Sequence, residues 1–192
     1  MSMNPDRIFA YLKAELPDGP ANVELSGDDD LLIMPFVGRL FATLVYDTGD
    51  SFTYLQKRHL DELVMNTEEV FDLGVRNLEG LLSSGLVRVH QHGAGYPIIG
   101  GGNFEASLLL VDSVWEWMCG HIGAARLLAL APARDLLMVA SADDPAGLAE
   151  LVAFRDRIAN ASLDHVLCDD LYLWDGKAWS VAESSPRSWT RT

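Results

Sequence analysis

Residues 127–140 read Leu-Leu-Ala-Leu-Ala-Pro-Ala-Arg-Asp-Leu-Leu-Met-Val-Ala. Two apolar runs, Leu127–Ala131 and Leu136–Ala140, flank a polar corner at Pro132–Asp135. Each run is too short for a typical helix and has no polar face. Each therefore reads as a strand buried on both sides, with the chain reversing between them. A glycine-rich stretch and an amphipathic segment lie just upstream, and a capped helix follows. The fold reading grows outward from this hairpin.

Upstream, Ser107–Cys119 has a helical pattern with Leu110, Val111, Val114, Trp115 and Met118 inward. Leu86–His90 and Tyr96–Ile99 read as two strands around Gly93-Ala94-Gly95. Asn66, with Glu69 three residues on, resembles a capping box. It opens a helix whose stripe is Val70, Phe71, Gly74, Val75, Leu78, Leu81 and Leu82, with Gly85 at its end. Leu40–Tyr46 is apolar on both faces and reads as a central strand, with Leu31–Met34 and Ser51–Leu55 as weaker ones. Asn4-Pro5 predicts a helix start, with Ile8, Leu12 and Leu16 as its stripe and Pro17 and Gly19 as its stop. Val23–Leu25 reads as a short strand.

Downstream, Asp144-Pro145 caps a helix with Leu148, Leu151, Val152 and Ile158 inward. Leu171–Trp174 and Ala178–Val181 flank Asp175-Gly176, a type I′ hairpin signal. Hairpins interspersed with helices predict an α+β fold, a mainly antiparallel sheet with helices packed on it. We expect one domain over residues 1–183 and a flexible tail at 184–192.

Acids outnumber bases 28 to 14 over 192 residues, a net charge of -14. That charge disfavours nucleic acid and anionic lipid and suits a basic protein partner. The sequence has no signal-peptide pattern and no run of 18 apolar residues, so we expect a cytoplasmic protein without a membrane partner. Cys119 and Cys168 make neither a disulfide framework nor a zinc site.

Three pieces of the chain are similar to a bacterial family of cytosolic proteins, the DUF1444 (YtpQ-like) group. They are Val-Arg-Asn-Leu at 75–78, Glu-Ala-Ser-Leu-Leu-Leu at 105–110, and Ala-Pro-Ala-Arg-Asp-Leu-Leu at 131–137. The resemblance covers roughly Thr67 to Trp174. It implies a bacterial cytosolic α+β protein and no particular activity.

The candidate chemistry is sparse. Five glycines between Gly93 and Asn103 could turn backbone N–H groups toward an anion, although the spacing is that of neither a dinucleotide loop nor a P-loop. A ligand site built there would use Gly101, Gly102, Asn103, Glu105, Arg134 and Asp135. His90 and His92 share a strand face but lack a specified third ligand, so no metal and no cofactor is expected. Ser107 with His90 or His121 lacks a nucleophile elbow. Asn77 falls on the apolar stripe of its helix, where a buried amide must be bonded. Trp117 lies off the stripe of its helix, and Trp174 and Trp179 face each other across a hairpin. These three are the candidate partner-binding residues. The sequence thus favours a non-enzymatic acidic protein that binds a basic protein in a regulatory, accessory or toxin-neutralising role. The alternative is a small-ligand binder or hydrolase-like enzyme built on the 93–103 loop.

Overall fold

The computed structural model describes residues 3–14, 27–85, 87–159, 163 and 165–183. The expectations for Leu16, Pro17, Gly19, Val23–Leu25, Leu86 and the tail at 184–192 fall outside these residues. Strands β1 (Ile8–Ala14), β2 (Ile33–Val37), β3 (Leu40–Asp47) and β4 (Phe52–Tyr54) form one antiparallel sheet. In it β3 pairs with β1 along one edge and with β2 and β4 along the other. Strands β5 (Arg88–Val89), β6 (Gly95–Ile99), β7 (Leu127–Ala133), β8 (Leu136–Ser141), β9 (Leu171–Trp174) and β10 (Trp179–Glu183) form a second antiparallel sheet, in the order β10-β9-β7-β8-β6-β5. Helices α1 (Arg58–Leu63), α2 (Thr67–Ser83), α3 (Asp112–Ile122) and α4 (Pro145–Ile158) complete an α+β architecture. Among the described residues, no helix is long and apolar enough to cross a membrane.

The 127–140 hairpin is the middle of the second sheet, and its alternation explains the layers. Leu127, Ala129, Ala131, Leu137 and Val139 face the main core, together with Trp115, Met118 and Trp174. Leu128, Leu130, Met138 and Ala140 face the other way and pack with Leu151 of α4. Both sets are buried because a strand sends successive side chains to opposite faces and both faces are covered. The polar corner is shorter than expected. β7 runs on through Pro132, with an irregularity between Leu130 and Ala133, and only Arg134 and Asp135 turn the chain. The Pro132 carbonyl accepts from Leu167 N at 2.9 Å, so the residue that cannot donate still contributes an acceptor.

The main core continues into the first sheet. Helix α2 opens with both halves of the capping box, Asn66 with Glu69, and packs on β1 and β3. Gly74 permits that approach, since a Cβ there would lie 2.7 Å from both Ala10 N and Leu44 Cδ2. Asn77 donates from Nδ2 to the carbonyls of Pro5 (2.8 Å) and Ile8 (2.7 Å), tying the helix to the entry of β1.

The N-terminal helix expected from Asn4-Pro5 is a correction. Asn4 does cap a turn, but it is a single 3-10 turn at Pro5–Arg7, and Ile8 onward is strand. A spacing of four suits a helix face, but four is also an even number, so Ile8 and Leu12 share a strand face equally well. Phe9 and Tyr11, between them, fill the opposite face. Two further expectations change. Leu148 of α4 is 40% exposed, while Gly147 takes the inward position against Ala140. The 175–178 turn is not type I′, which needs positive φ at both central residues. Gly176 is at φ +97° but Lys177, the other central residue, is not positive, and the Asp175 carboxylate accepts from Lys177 N and Ala178 N.

Candidate functional site

The 93–103 glycines could turn backbone N–H groups toward an anion, and two of them, Gly100 and Gly102, are so turned. The anion they face belongs to the chain itself. Glu105 Oε1 accepts from Gly100 N and Gly102 N, both at 2.8 Å, and Oε2 accepts from Phe104 N at 3.1 Å. The Glu105 residue is only 3% exposed. Gly102 sits at φ +80°, which turns its N–H inward with little strain. A buried carboxylate is tolerated when backbone donors replace water. An external anion would have to displace this side chain. Gly101 has no side chain to offer, and among the described residues no side-chain hydrogen bond joins Asn103 to this nest.

Phe104 anchors the same loop. Its ring lies 4.8 Å from Phe9, 6.0 Å from Tyr11 and 5.2 Å from Phe52, over the face of the first sheet that α2 does not cover. The other two candidate ligand residues sit near this cluster with separate tasks. Arg134 uses its backbone: its carbonyl accepts from Ala106 N at 3.0 Å and its N–H donates to His165 O at 3.2 Å. Burial pushes the Tyr11 hydroxyl above its ordinary range, and the Arg134 guanidinium beside it opposes that shift. Asp135 is exposed on the turn. Neither residue forms an ion pair with Glu105 or with the other among the described residues. The six candidates therefore split into a self-filled nest and a turn.

The structure also assembles a polar group that the sequence reading missed. Arg39, on the tight turn between β2 and β3, forks onto Asp170 through Nε (3.1 Å) and Nη2 (2.9 Å), with Asp169 at 3.9 Å. The side chains of Asp169 and Asp170 are 0% and 3% exposed. Beside them the Cys168 sulfur lies 2.8 Å from the Tyr172 hydroxyl. Burial pushes the Cys168 thiol up to about 11, so it is not a thiolate at neutral pH. Tyr172 is raised as well, by burial first and then by Cys168. Both aspartates, Cys168 and Tyr172 are buried, and only Arg39 of this group reaches solvent, its side chain 30% exposed. They clip the β2–β3 turn onto the strand entry at β9. The signal lay in the sequence: two aspartates inside Val166-Leu167-Cys168-Asp169-Asp170-Leu171 need a cation nearby.

The tryptophans separate sharply. Trp174 is 1% exposed, packed with Trp179 at 5.5 Å, and Trp179 meets Trp115 edge-on at 5.0 Å. This corrects the assignment of Trp174 as a partner contact, since it is buried, while Trp179 is half-buried against it. Their hairpin turns its aromatic face inward, and the rings serve the core. Trp117 is different. It is 55% exposed on the outer face of α3, stacked on His121 at 4.8 Å and 14°. His121 in turn meets the Tyr96 ring edge-on. Asp112, Ser113, Glu116, Gly120 and His121 share that outer face. Burial, and then the Glu116 charge one turn away, raise the Asp112 carboxyl above its usual range. Ser113 donates to Glu79 of α2 at 2.6 Å, which brings a third acid to the start of this face.

His90 and His92 are exposed, and among the described residues no group of three or more His, Cys, Asp and Glu side chains is placed to hold a metal. No family model, curated protein or solved structure matches this chain.

Proposed function

We propose that this protein recognises a basic protein partner and performs no chemistry of its own, in a regulatory, accessory or toxin-neutralising role. One observation carries this reading. The Glu105 carboxylate of the glycine-rich loop is engaged by the loop's own backbone, whereas the α3 face presents an exposed tryptophan on the same helix face as two carboxylates. Exposed tryptophans are favoured contact anchors. The net charge of -14 adds long-range attraction for a cationic partner. An acidic cytosolic protein of the kind the 75–137 resemblance implies would suit this role.

The test uses fluorescent nona-arginine and nona-lysine peptides, with nona-glutamate and a DNA duplex as controls. The basic peptides should bind at low ionic strength. Their association rate should fall steeply as salt shortens the screening length toward about 8 Å at 0.15 M. Absence of binding at low salt, or binding that stays flat as salt rises, would overturn the proposal.

A further inference from the structure

We propose that the outer face of α3 is a slot for one arginine side chain of that partner, its guanidinium stacked on the free face of Trp117 and forked onto Asp112 and Glu116. This rests on the reading above and gives it a place and a chemistry.

The geometry argues for a planar cation. Residues three and four apart are neighbours on a helix surface, so Asp112, Glu116 and Gly120 form one strip, and Ser113, Trp117 and His121 form the next. One face of the Trp117 indole is taken by His121, whose ring lies within 14° of parallel. The ring is still 55% exposed, which leaves its other surface to solvent. An arginine stacks on an indole better than a lysine does and offers a fork that matches carboxylates. Asp112 and Glu116, exposed on the same helix, have no ion-pair partner among the described residues. Burial first, and the Glu116 charge second, disfavour the charged form of Asp112, and a cation seated beside both carboxylates would offset that.

Gly120 supplies an independent observation. It is an exposed helical glycine without positive φ, and a Cβ there would meet nothing within 4 Å. Neither packing nor backbone conformation asks for glycine, and an ordinary residue would favour the helix more. Glycine at this position keeps the strip flat beside Glu116 and Trp117, leaving clearance for an incoming side chain.

The probes are nona-arginine and nona-lysine, titrated against the full chain and four variants: Trp117→Ala, Glu116→Gln, Gly120→Gln and, as a charge-matched control on α1, Glu62→Gln. Wild type should prefer arginine over lysine by about fivefold, in the range of a cation–π contact. Trp117→Ala and Glu116→Gln should each weaken nona-arginine binding by about tenfold and erase the preference. Gly120→Gln should weaken it with an unchanged or raised melting temperature. Glu62→Gln should change affinity less than about twofold, as a rim charge does. If both peptides bind equally, and the α3 variants behave like Glu62→Gln, the slot is wrong while the acidic-partner reading stands. If neither peptide binds, both fall. Self-association of the wild type that Trp117→Ala abolishes would assign the face to a second copy of this chain and overturn the arginine slot.

Discussion

The 100–105 loop and the outer face of α3 hold the same kinds of group, a carboxylate and an aromatic ring, with opposite outcomes. In the loop, Glu105 turns back to accept three backbone N–H bonds while Phe104 plugs a cluster of aromatic rings. On α3, burial and then the Glu116 charge raise the Asp112 carboxyl, and Trp117 stays open to solvent. The lesson is that a motif's chemistry does not say whom it serves. A Gly-rich loop offers an anion site, and the nearest carboxylate in the chain takes it at an effective concentration no free ligand matches. Groups that the fold leaves uncompensated are the better pointers to something outside it.

The comparison can be broken from either side. The largest effect should come from the inward-facing ion pair. Arg39→Ala leaves Asp170 without its fork and Asp169 without its nearby cation, both fully or almost fully buried. Breaking a buried pair costs about 3–5 kcal/mol, and the partly exposed guanidinium places this one at about 3 kcal/mol by urea unfolding. A loss below about 1 kcal/mol would show that water already carries the pair.

Glu105→Gln comes next. It replaces a charged acceptor by an amide that can satisfy only part of the nest, at about 2–3 kcal/mol. An unchanged denaturation midpoint would mean that the nest is not closed, and the alternative of a ligand loop would return.

Alkaline pH probes the Cys168–Tyr172 contact. The folded thiol titrates near 11 against an ordinary value of 9, so the folded state holds its proton more tightly than the unfolded chain does. That contribution is fully present below about pH 9 and is lost as pH rises toward 11, about 2–3 kcal/mol in all. Cys168→Ala should flatten this limb of a stability-against-pH curve, and an equally steep limb in the variant would place the titration elsewhere.

Asn77→Leu should cost about 1–3 kcal/mol, because the carbonyls of Pro5 and Ile8 lose their shared donor. A neutral result would mean that water replaces the amide. The smallest effect belongs to the outward face. Trp117→Ala should change stability by less than about 0.5 kcal/mol, as surface substitutions do. A melting temperature that collapses would make Trp117 part of the core and remove the contrast.

Much of the fold was legible because hydrophobic pattern reports burial directly. The 127–140 hairpin, the central strand at 40–46, the Asn66 cap and the Asp144-Pro145 cap are local signals, and each element forms where its signal lies. Ile8–Ala14 misled because its apolar spacing fits both helix and strand, and only pairing with β3 decides between them. The partners of charged groups were not legible. Arg39 meets Asp170 across 131 positions of sequence. Trp115, Trp174 and Trp179 gather from one helix and two strands into one cluster, while Trp117, two residues from Trp115, points away.

By itself, then, the sequence determined the class of fold, the caps, most strands and the acidic character of the molecule. These depend on local propensity, period and composition, which chain neighbours carry between them. Only the tertiary structure decided that Glu105 fills its own glycine nest, that Asp169 and Asp170 are held by Arg39, and that Trp117 is exposed while Trp174 is buried. Those outcomes depend on which surfaces the closed sheets bring together, and burial turns an unpaired charge from an ordinary surface feature into one that must find a partner.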